Sequence, residues 1–419
     1  MIKPLIPITR KHALIFAACL VFYEFLVYIA NDMIMPGMLS VVHGFHADES
    51  KIATSLTAYI LGGASLQLFL GPLSDRFGRR PVMLAGSILF SLCTLLLPWV
   101  HTIDQFLLGR FFEGMGLCYI NVVGYALLQE IFSDEDAIRM IAIMANVAIL
   151  APLLGPLAGS AFLHYVSWRA IFYLIGGLSL VALWGLWHYM PESVGQIKND
   201  GKVIKPVSLA LPAIWANYKE LMKHRVFVFG TIAYGLMAVP CVVWIALSPV
   251  MLVSHAHMSL FMYGVWQIPV FGSFILGNIF LSRWSKRYEV MHLSVIGSVI
   301  LFIGLVVMCL YPFYYGPEPF GLMPGLVIYS FGYGIATTAL YRFILFVTQI
   351  GTGTTSALIS MSSMCFMGAG IEIGNAIFLA KANLGIAQYV GYIALFYFVC
   401  VAISLYFHRC EKALGVENL

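Results

Sequence analysis

The chain has 419 residues, is 61% hydrophobic and 10% charged, and carries a formal net charge of +4. Soluble globular domains hold roughly 25% charged residues, so this chain cannot cover a water-facing surface. Its apolar runs of about 20 residues recur from end to end, as in membrane-crossing helices. The modest charge and the lack of any basic tract with interleaved aromatics argue against nucleic acid as a partner. The eight cysteines include no CxxC pair and lie mostly within apolar runs, so they read as small buried side chains rather than disulfides or metal ligands.

Taken in chain order, the hydropathy pattern predicts twelve helices, near 13–38, 52–72, 82–100, 104–129, 140–163, 170–190, 226–253, 261–282, 291–312, 321–347, 354–381 and 387–407. The expected fold class is an all-α membrane protein with twelve transmembrane helices in two six-helix bundles, residues 1–190 and 226–419, joined by a polar linker over 191–225. The first apolar run is long and contains acids, which marks a retained helix rather than a cleaved signal.

That first helix contains VFYEFLVYIAND, residues 21–32, with the acids Glu24 and Asp32. Each charged residue at a bilayer centre costs on the order of 3 kcal/mol to insert. Eight residues apart, the two acids are about 12 Å apart along a helix axis and roughly 80° apart around it. Asn31 lies almost on the face of Glu24, and Tyr28 is one turn from both acids. Such a face lines a cavity or meets a partner; it does not face lipid. Burial favours a protonated carboxyl and a neighbouring guanidinium favours an ionised one. A cavity that opens to each side in turn can therefore load a proton on one side and release it on the other. The bland alternative is a structural ion pair between Arg110 and one of these acids.

The second helix is followed by GPLSDRFGRRPVML, residues 71–84. Gly71 and Gly78 permit turning and close backbone approach. Asp75 can accept from a helix N-terminus or an arginine, and Arg76, Arg79 and Arg80 hold the surrounding interface. This segment resembles the loop motif of the major facilitator superfamily, Gly-x-Leu-x-Asp-Arg-x-Gly-Arg-Arg/Lys, at every specified position. GRFFEGMG, residues 109–116, resembles the superfamily's fourth-helix motif with its intramembrane Arg110. NVAILAPLLGPLAG, residues 146–159, resembles the fifth-helix motif of proton-coupled antiporters, with Gly155, Pro156 and Gly159 suited to close packing and bending. Together the three motifs resemble the twelve-helix drug:proton antiporter branch.

The resemblance implies a fold of two pseudo-symmetric bundles and proton-coupled export of small lipophilic compounds, neutral or cationic, by alternating access. It implies a non-enzymatic, multidrug efflux protein of the bacterial inner membrane, acting as a monomer among lipids, with the proton as coupling ion and no bound cofactor or metal. Glu24, Asp32, Asn31, Tyr28, Arg110 and Glu113 are the expected proton-coupling and substrate-binding residues. Gly71, Asp75, Arg76, Gly78, Arg79 and Arg80 are the expected gate. Arg342 and Glu372 are secondary candidates. Glu113 departs from the expected glutamine and can satisfy Arg110 locally, at i,i+3. The competing transport reading is a dedicated exporter or facilitator of one metabolite, such as a siderophore. No nucleophile motif, metal-ligand cluster or soluble domain supports an intramembrane enzyme or sensor.

Beyond the sixth helix, PESVGQIKNDGKVIKPVSLALPAIWANYKELMKHR, residues 191–225, is the one long polar interruption, with a short amphipathic helix expected near 214–222. GNIFLSRWSKRYEVMHL, after the eighth helix, echoes the segment at 71–84 with a leading glycine and basic residues. Loop lysines and arginines fall eighteen on the side of the termini and linker against three on the other. The positive-inside rule then places both termini and the linker in the cytoplasm. Glu130, at the end of the fourth helix, is expected to be solvated. His43, His46, His255 and His257 have metal-like spacing but no third ligand. The aromatic and Met-rich stretches at 241–251 and 361–367 suit a deformable apolar pocket, although lipid-facing packing accounts for such residues equally well.

Overall fold

Within lipid every backbone N–H and C=O must find a partner inside its own segment, so apolar runs close into helices. The computed structural model describes residues 4–197, 211–285, 287–316, 318–348 and 350–413. Lys3, Lys198, Lys202, Lys205 and Lys286, which entered the loop-charge argument, lie outside them. Two compact units divide the chain, Met1–Leu211 and Pro212–Leu419.

The first unit contains α1 (Arg10–Asp32), α2 (Met38–Gly44), α3 (Ser50–Ser65), α4 (Gln67–Phe77), α5 (Arg79–Leu96), α6 (Ile103–Gly114), α7 (Gly116–Tyr119), α8 (Tyr125–Ile131), α9 (Asp134–Leu163) and α10 (Trp168–Tyr189). The linker helix α11 (Leu211–Leu221) follows. The second unit holds α12 (Arg225–Ser248), α13 (Leu260–Trp284), α14 (Val290–Tyr315), α15 (Met323–Leu345) and α16 (Thr352–Ala413). Among the described residues there is no strand, only an isolated bridge between Pro4 and Phe132.

Side-chain caps start several of these helices. Thr9 accepts from the His12 amide, Thr102 from Gln105 and Ser259 from Met262. Such caps satisfy amides that the first turn leaves without partners.

Among the described residues ten helical stretches are long and apolar enough to cross a membrane, and α3 with α4, bent by 41°, form an eleventh. The 62-residue α16 is broken at Ala382, whose φ of 49° is non-helical, and divides there into two arms. Counted so, the passages are twelve. The fourth passage is composite: α6 and α7 lead into a π turn, Ile120–Gly124, and then α8. Segment 71–84, read from sequence as a loop, is almost wholly helical. Only Gly78, at φ 104°, lies outside α4 and α5.

A repeat that the sequence shows only faintly is explicit in the packing. A Cβ on Gly62 of α3 would lie 1.9 Å from the Phe111 carbonyl oxygen, and one on Gly114 of α6 would lie 2.0 Å from that of Tyr59. In the second unit a Cβ on Gly277 of α13 would lie 2.2 Å from the Phe331 oxygen, and one on Gly334 of α15 would lie 2.3 Å from that of Phe274. In both units each glycine meets the carbonyl three residues before the partner glycine. This register equates Gly62 with Gly277. The leading glycine of the sequence echo is therefore not the counterpart of Gly71.

The second unit also contains a spliced helix. Pro240 sits inside α12. The buried Tyr329 hydroxyl of α15 enters the backbone ladder there, donating to the Met237 carbonyl at 2.6 Å and accepting from the Cys241 amide at 3.2 Å. An inserted side chain of this kind is one of the few recognised causes of a helix kink.

The glycine contacts are testable. Gly114→Ala should destabilise the protein by about 1–3 kcal/mol, read as a lower thermal midpoint in detergent. Gly272→Ala, where a Cβ meets nothing within 4 Å, should leave the midpoint unchanged. Equal midpoints for the two variants would remove the close-packing argument.

Candidate functional site

The polar residues of the first unit gather into three places. In the first, α1, α5 and α6 build a buried charged cluster. Arg110 and Glu113, one turn apart on α6, have no exposed surface and pair at 2.5 Å. Arg110 Nη2 also donates to Asn31 Oδ1 at 2.6 Å, and Asn31 Nδ2 donates to Asp32 Oδ1 at 3.1 Å. The guanidinium carbon lies 4.4 Å from the ring centroid of Tyr59 on α3, a cation–π contact that suits a desolvated arginine. Tyr59 in turn donates to the Val27 carbonyl of α1. The two partners expected for Arg110 thus divide between direct pairing with Glu113 and a link to Asp32 through Asn31.

Helix α9 shapes the same place. A Cβ on Gly155 would fall 2.5 Å from Asp32 Cβ, and one on Gly159 would fall 2.0 Å from the Met33 oxygen. The fifth-helix motif therefore lets α9 lie against α1 at the second acid. Pro156 lacks an amide to bond back along α9, and its own carbonyl accepts from Ser160 at 2.6 Å.

Glu24 stands apart. It is fully buried, and Tyr125 of α8 donates to its Oε1 at 2.9 Å, while Oε2 has no partner. Tyr28 interacts with both helix-one acids and with Asn121 in the π turn. The two acids thus occupy distinct surroundings on one helix.

The third place is the gate segment. Arg79 pairs with Asp75 at 2.5 Å and with Glu130 of α8 at 2.7 Å, and it donates to Ser74 at 2.6 Å. Glu192, just past α10, accepts from the backbone amides of Arg79 at 2.9 Å and Arg80 at 3.1 Å, so it caps α5 from another part of the chain. Ser193 donates to Glu130 at 2.5 Å, and Arg80 donates to the Trp187 carbonyl at 2.6 Å. A Cβ at Gly78 would fall 2.5 Å from the Glu192 carboxylate, so this position needs glycine for both its space and its positive φ. Gly71 has no such need, with its nearest neighbour at 3.7 Å. Arg76 is exposed and lies over the Phe77 ring, away from this network.

Arg342 and Glu372 belong to the second unit. Arg342 is exposed near the end of α15. Glu372 is half-buried, and its Oε1 has no partner. The glycine register equates Arg110 with Ser330 and Glu113 with Tyr333, both uncharged. The corresponding region there is aromatic: Tyr329 and Tyr333 stack with centroids 5.7 Å apart, and Trp244 donates to Gln267 at 2.8 Å. No group of three or more His, Cys, Asp or Glu side chains is placed to hold a metal among the described residues.

Sequence reasoning missed Tyr59, Thr94, Tyr125, Glu192 and Ser193, and it treated Glu130 as solvated. Glu192 had a usable signal, as an acid directly after the sixth helix on the strongly basic side. The tyrosines had none, because this chain holds 22 of them.

Helices that span, a repeated two-unit architecture and buried charges at one helix crossing define a polytopic membrane transporter. The chain belongs to the Major Facilitator Superfamily, whose model matches residues 20–371. It is 43% identical over 375 residues to the multidrug transporter MdfA of Yersinia pestis bv. Antiqua (strain Angola), a match covering 89% of this chain and 90% of that one. It is 41% identical over 373 residues to the multidrug transporter MdfA of Escherichia coli O6:H1, covering 89% of each chain. Among solved structures it shares its fold with a D-xylose–proton symporter, at a TM-score of 0.72 and 15% identity over 93% of this chain and 97% of that one. An inward-facing, occupied bacterial homologue of the human lysosomal transporter Spinster also has a TM-score of 0.72, at 14% identity over 96% of this chain and 98% of that one.

Glu192→Ala removes the cap on α5. Loss of a cap costs about 1 kcal/mol, so hydrogen exchange at the Arg79 and Arg80 amides should speed several-fold while exchange in α14 stays unchanged. Unaltered exchange at those two amides would show that the carboxylate does not hold this turn.

Proposed function

We propose that the protein is a proton-coupled antiporter that exports small lipophilic compounds, neutral or cationic, by alternating access. The observation that carries the reading is Asp32, a buried carboxylate that reaches Arg110 only through Asn31 and is not its direct ion-pair partner. A carboxylate that is not locked to a guanidinium takes up a proton the more readily. One buried beside a neutral amide can exchange its charge for that of a proton or substrate when water reaches it. Glu24, hydrogen-bonded to Tyr125 and with one oxygen unpartnered, is the second such group.

The relatives named multidrug transporters support small, chemically varied molecules as cargo. The uncharged, aromatic region around Tyr329 and Tyr333 in the second unit supports the same class. Apolar and aromatic walls with few fixed polar groups accept varied shapes. Arg79, Asp75, Glu130 and Glu192 serve in this reading as a latch on one face, breaking and reforming as access alternates. The coupling ion is the proton, no cofactor is required, and the protein works as a monomer. Both termini and the linker face the cytoplasm of a bacterial cell, with the chain in its inner membrane.

The test is export in proteoliposomes under an imposed pH gradient, comparing the parent with a Glu24→Gln, Asp32→Asn double variant. Gradient-driven export should fall to the rate without a gradient. Equal export by parent and variant would end the proposal. Cells making the protein should resist several unrelated lipophilic drugs, whereas resistance to one compound class alone would point to a single-metabolite exporter.

A further inference from the structure

The Thr94 hydroxyl has one hydrogen to donate, yet it lies 2.8 Å from the Phe90 carbonyl oxygen and 2.9 Å from Glu113 Oε1. Both contacts are full two-centre hydrogen bonds at once only if Thr94 donates to Phe90 while a protonated Glu113 Oε1 donates to Thr94. An ionised Glu113 takes the Thr94 hydrogen for itself. In both arrangements Glu113 Oε2 accepts from Arg110 Nη1. Rotation of one hydroxyl therefore accommodates either state of Glu113.

Charge balance leads to the same residue. Arg110 is permanently protonated and has no exposed surface, so it needs one compensating negative charge nearby. Two carboxyls can provide it: Glu113 directly, and Asp32 through Asn31. With both ionised, the three groups carry one net negative charge. With one proton between them, they are neutral. The other titratable groups facing them are Tyr28 of α1, Tyr59 of α3 and Cys93 of α5, all neutral in their ordinary state.

We propose that Glu113 and Asp32 hold one exchangeable proton between them across Arg110, and that its departure leaves a single negative charge complementary to a lipophilic monocation. The proposal rests on the antiport reading and deepens it by naming the substrate class exchanged at this cluster. The proton goes to water as the cation enters, so the net charge of the site is conserved. Two carboxyls coupled in this way titrate as a pair. Thr94 is a positioning residue that receives the proton's hydrogen bond when Glu113 carries it.

The experiment uses the full chain in detergent, with tetraphenylphosphonium as the monocation and chloramphenicol as the neutral probe. Protons released on binding are read with a pH indicator. The parent should release protons when tetraphenylphosphonium binds. Glu113→Gln leaves Asp32 as the standing counterion of Arg110, so it should release about one proton fewer. A site already balanced should also bind the cation roughly tenfold more weakly, with chloramphenicol binding little changed. Glu113→Asp should restore both. As a second measurement, Thr94→Val should shift the infrared absorption of the protonated carboxyl. Full proton release by Glu113→Gln, equal loss of both compounds, or an unmoved carboxyl band in Thr94→Val would each overturn the shared proton. A parent that binds the cation and releases no proton would instead overturn the antiport reading beneath it.

Discussion

A guanidinium with no exposed surface, set among helices that cross lipid, demands a counter-charge and hydrogen-bond acceptors at fixed positions. Arg110 obtains them from three directions: Glu113 on its own helix, Asn31 from α1 and the Tyr59 ring from α3. This requirement fixes how α1, α3 and α6 meet. The glycine contact between Gly62 and Gly114 brings the two backbones close enough for Tyr59 to reach Val27 and to lie against the arginine. Gly155 and Gly159 then allow α9 to press on α1 beside Asp32. The placement of Asp32 thus follows from the matching of one buried charge.

The two units share a backbone register and differ in chemistry. Their glycine pairs on the second and fourth passages meet carbonyls at the same offset, yet Arg110 and Glu113 are matched by Ser330 and Tyr333. In each unit the fourth passage sends a polar group against the first. In the first unit it is Arg110 reaching Asn31, and in the second it is Tyr329 entering α12. One packing plan is filled with ionisable groups in one unit and aromatic ones in the other.

Much of this was legible in the sequence, for physical reasons. Membrane helices announce themselves by length and hydropathy, and acids at 24 and 32 stand out because apolar surroundings make charge costly. The i,i+3 relation of Arg110 and Glu113 follows from helical geometry. Breaks were harder to see. Leu66 and the π turn at Ile120–Gly124 interrupt the spans expected at 52–72 and 104–129 without a mark in hydropathy, whereas the break at Ala382 falls at the expected boundary between 354–381 and 387–407, beside Lys381. Long-range partners were equally hidden. Glu130 meets Arg79 across 51 residues, and Glu192 caps α5 across 113. No local pattern encodes such pairings, and they turned a glutamate expected in solvent into part of the gate network.

The hydroxyl of Tyr329 has a mechanical meaning for α12. A proline normally strands a carbonyl, and any flexing at that point exposes bare backbone to hydrocarbon. Here the phenol bridges Met237 and Cys241, and a rotating O–H tolerates a change of angle that a direct amide–carbonyl bond does not. The helix therefore carries a lubricated joint one residue past Pro240, where the Met237–Cys241 link can bend without losing its partners, and its pivot is supplied by the neighbouring helix.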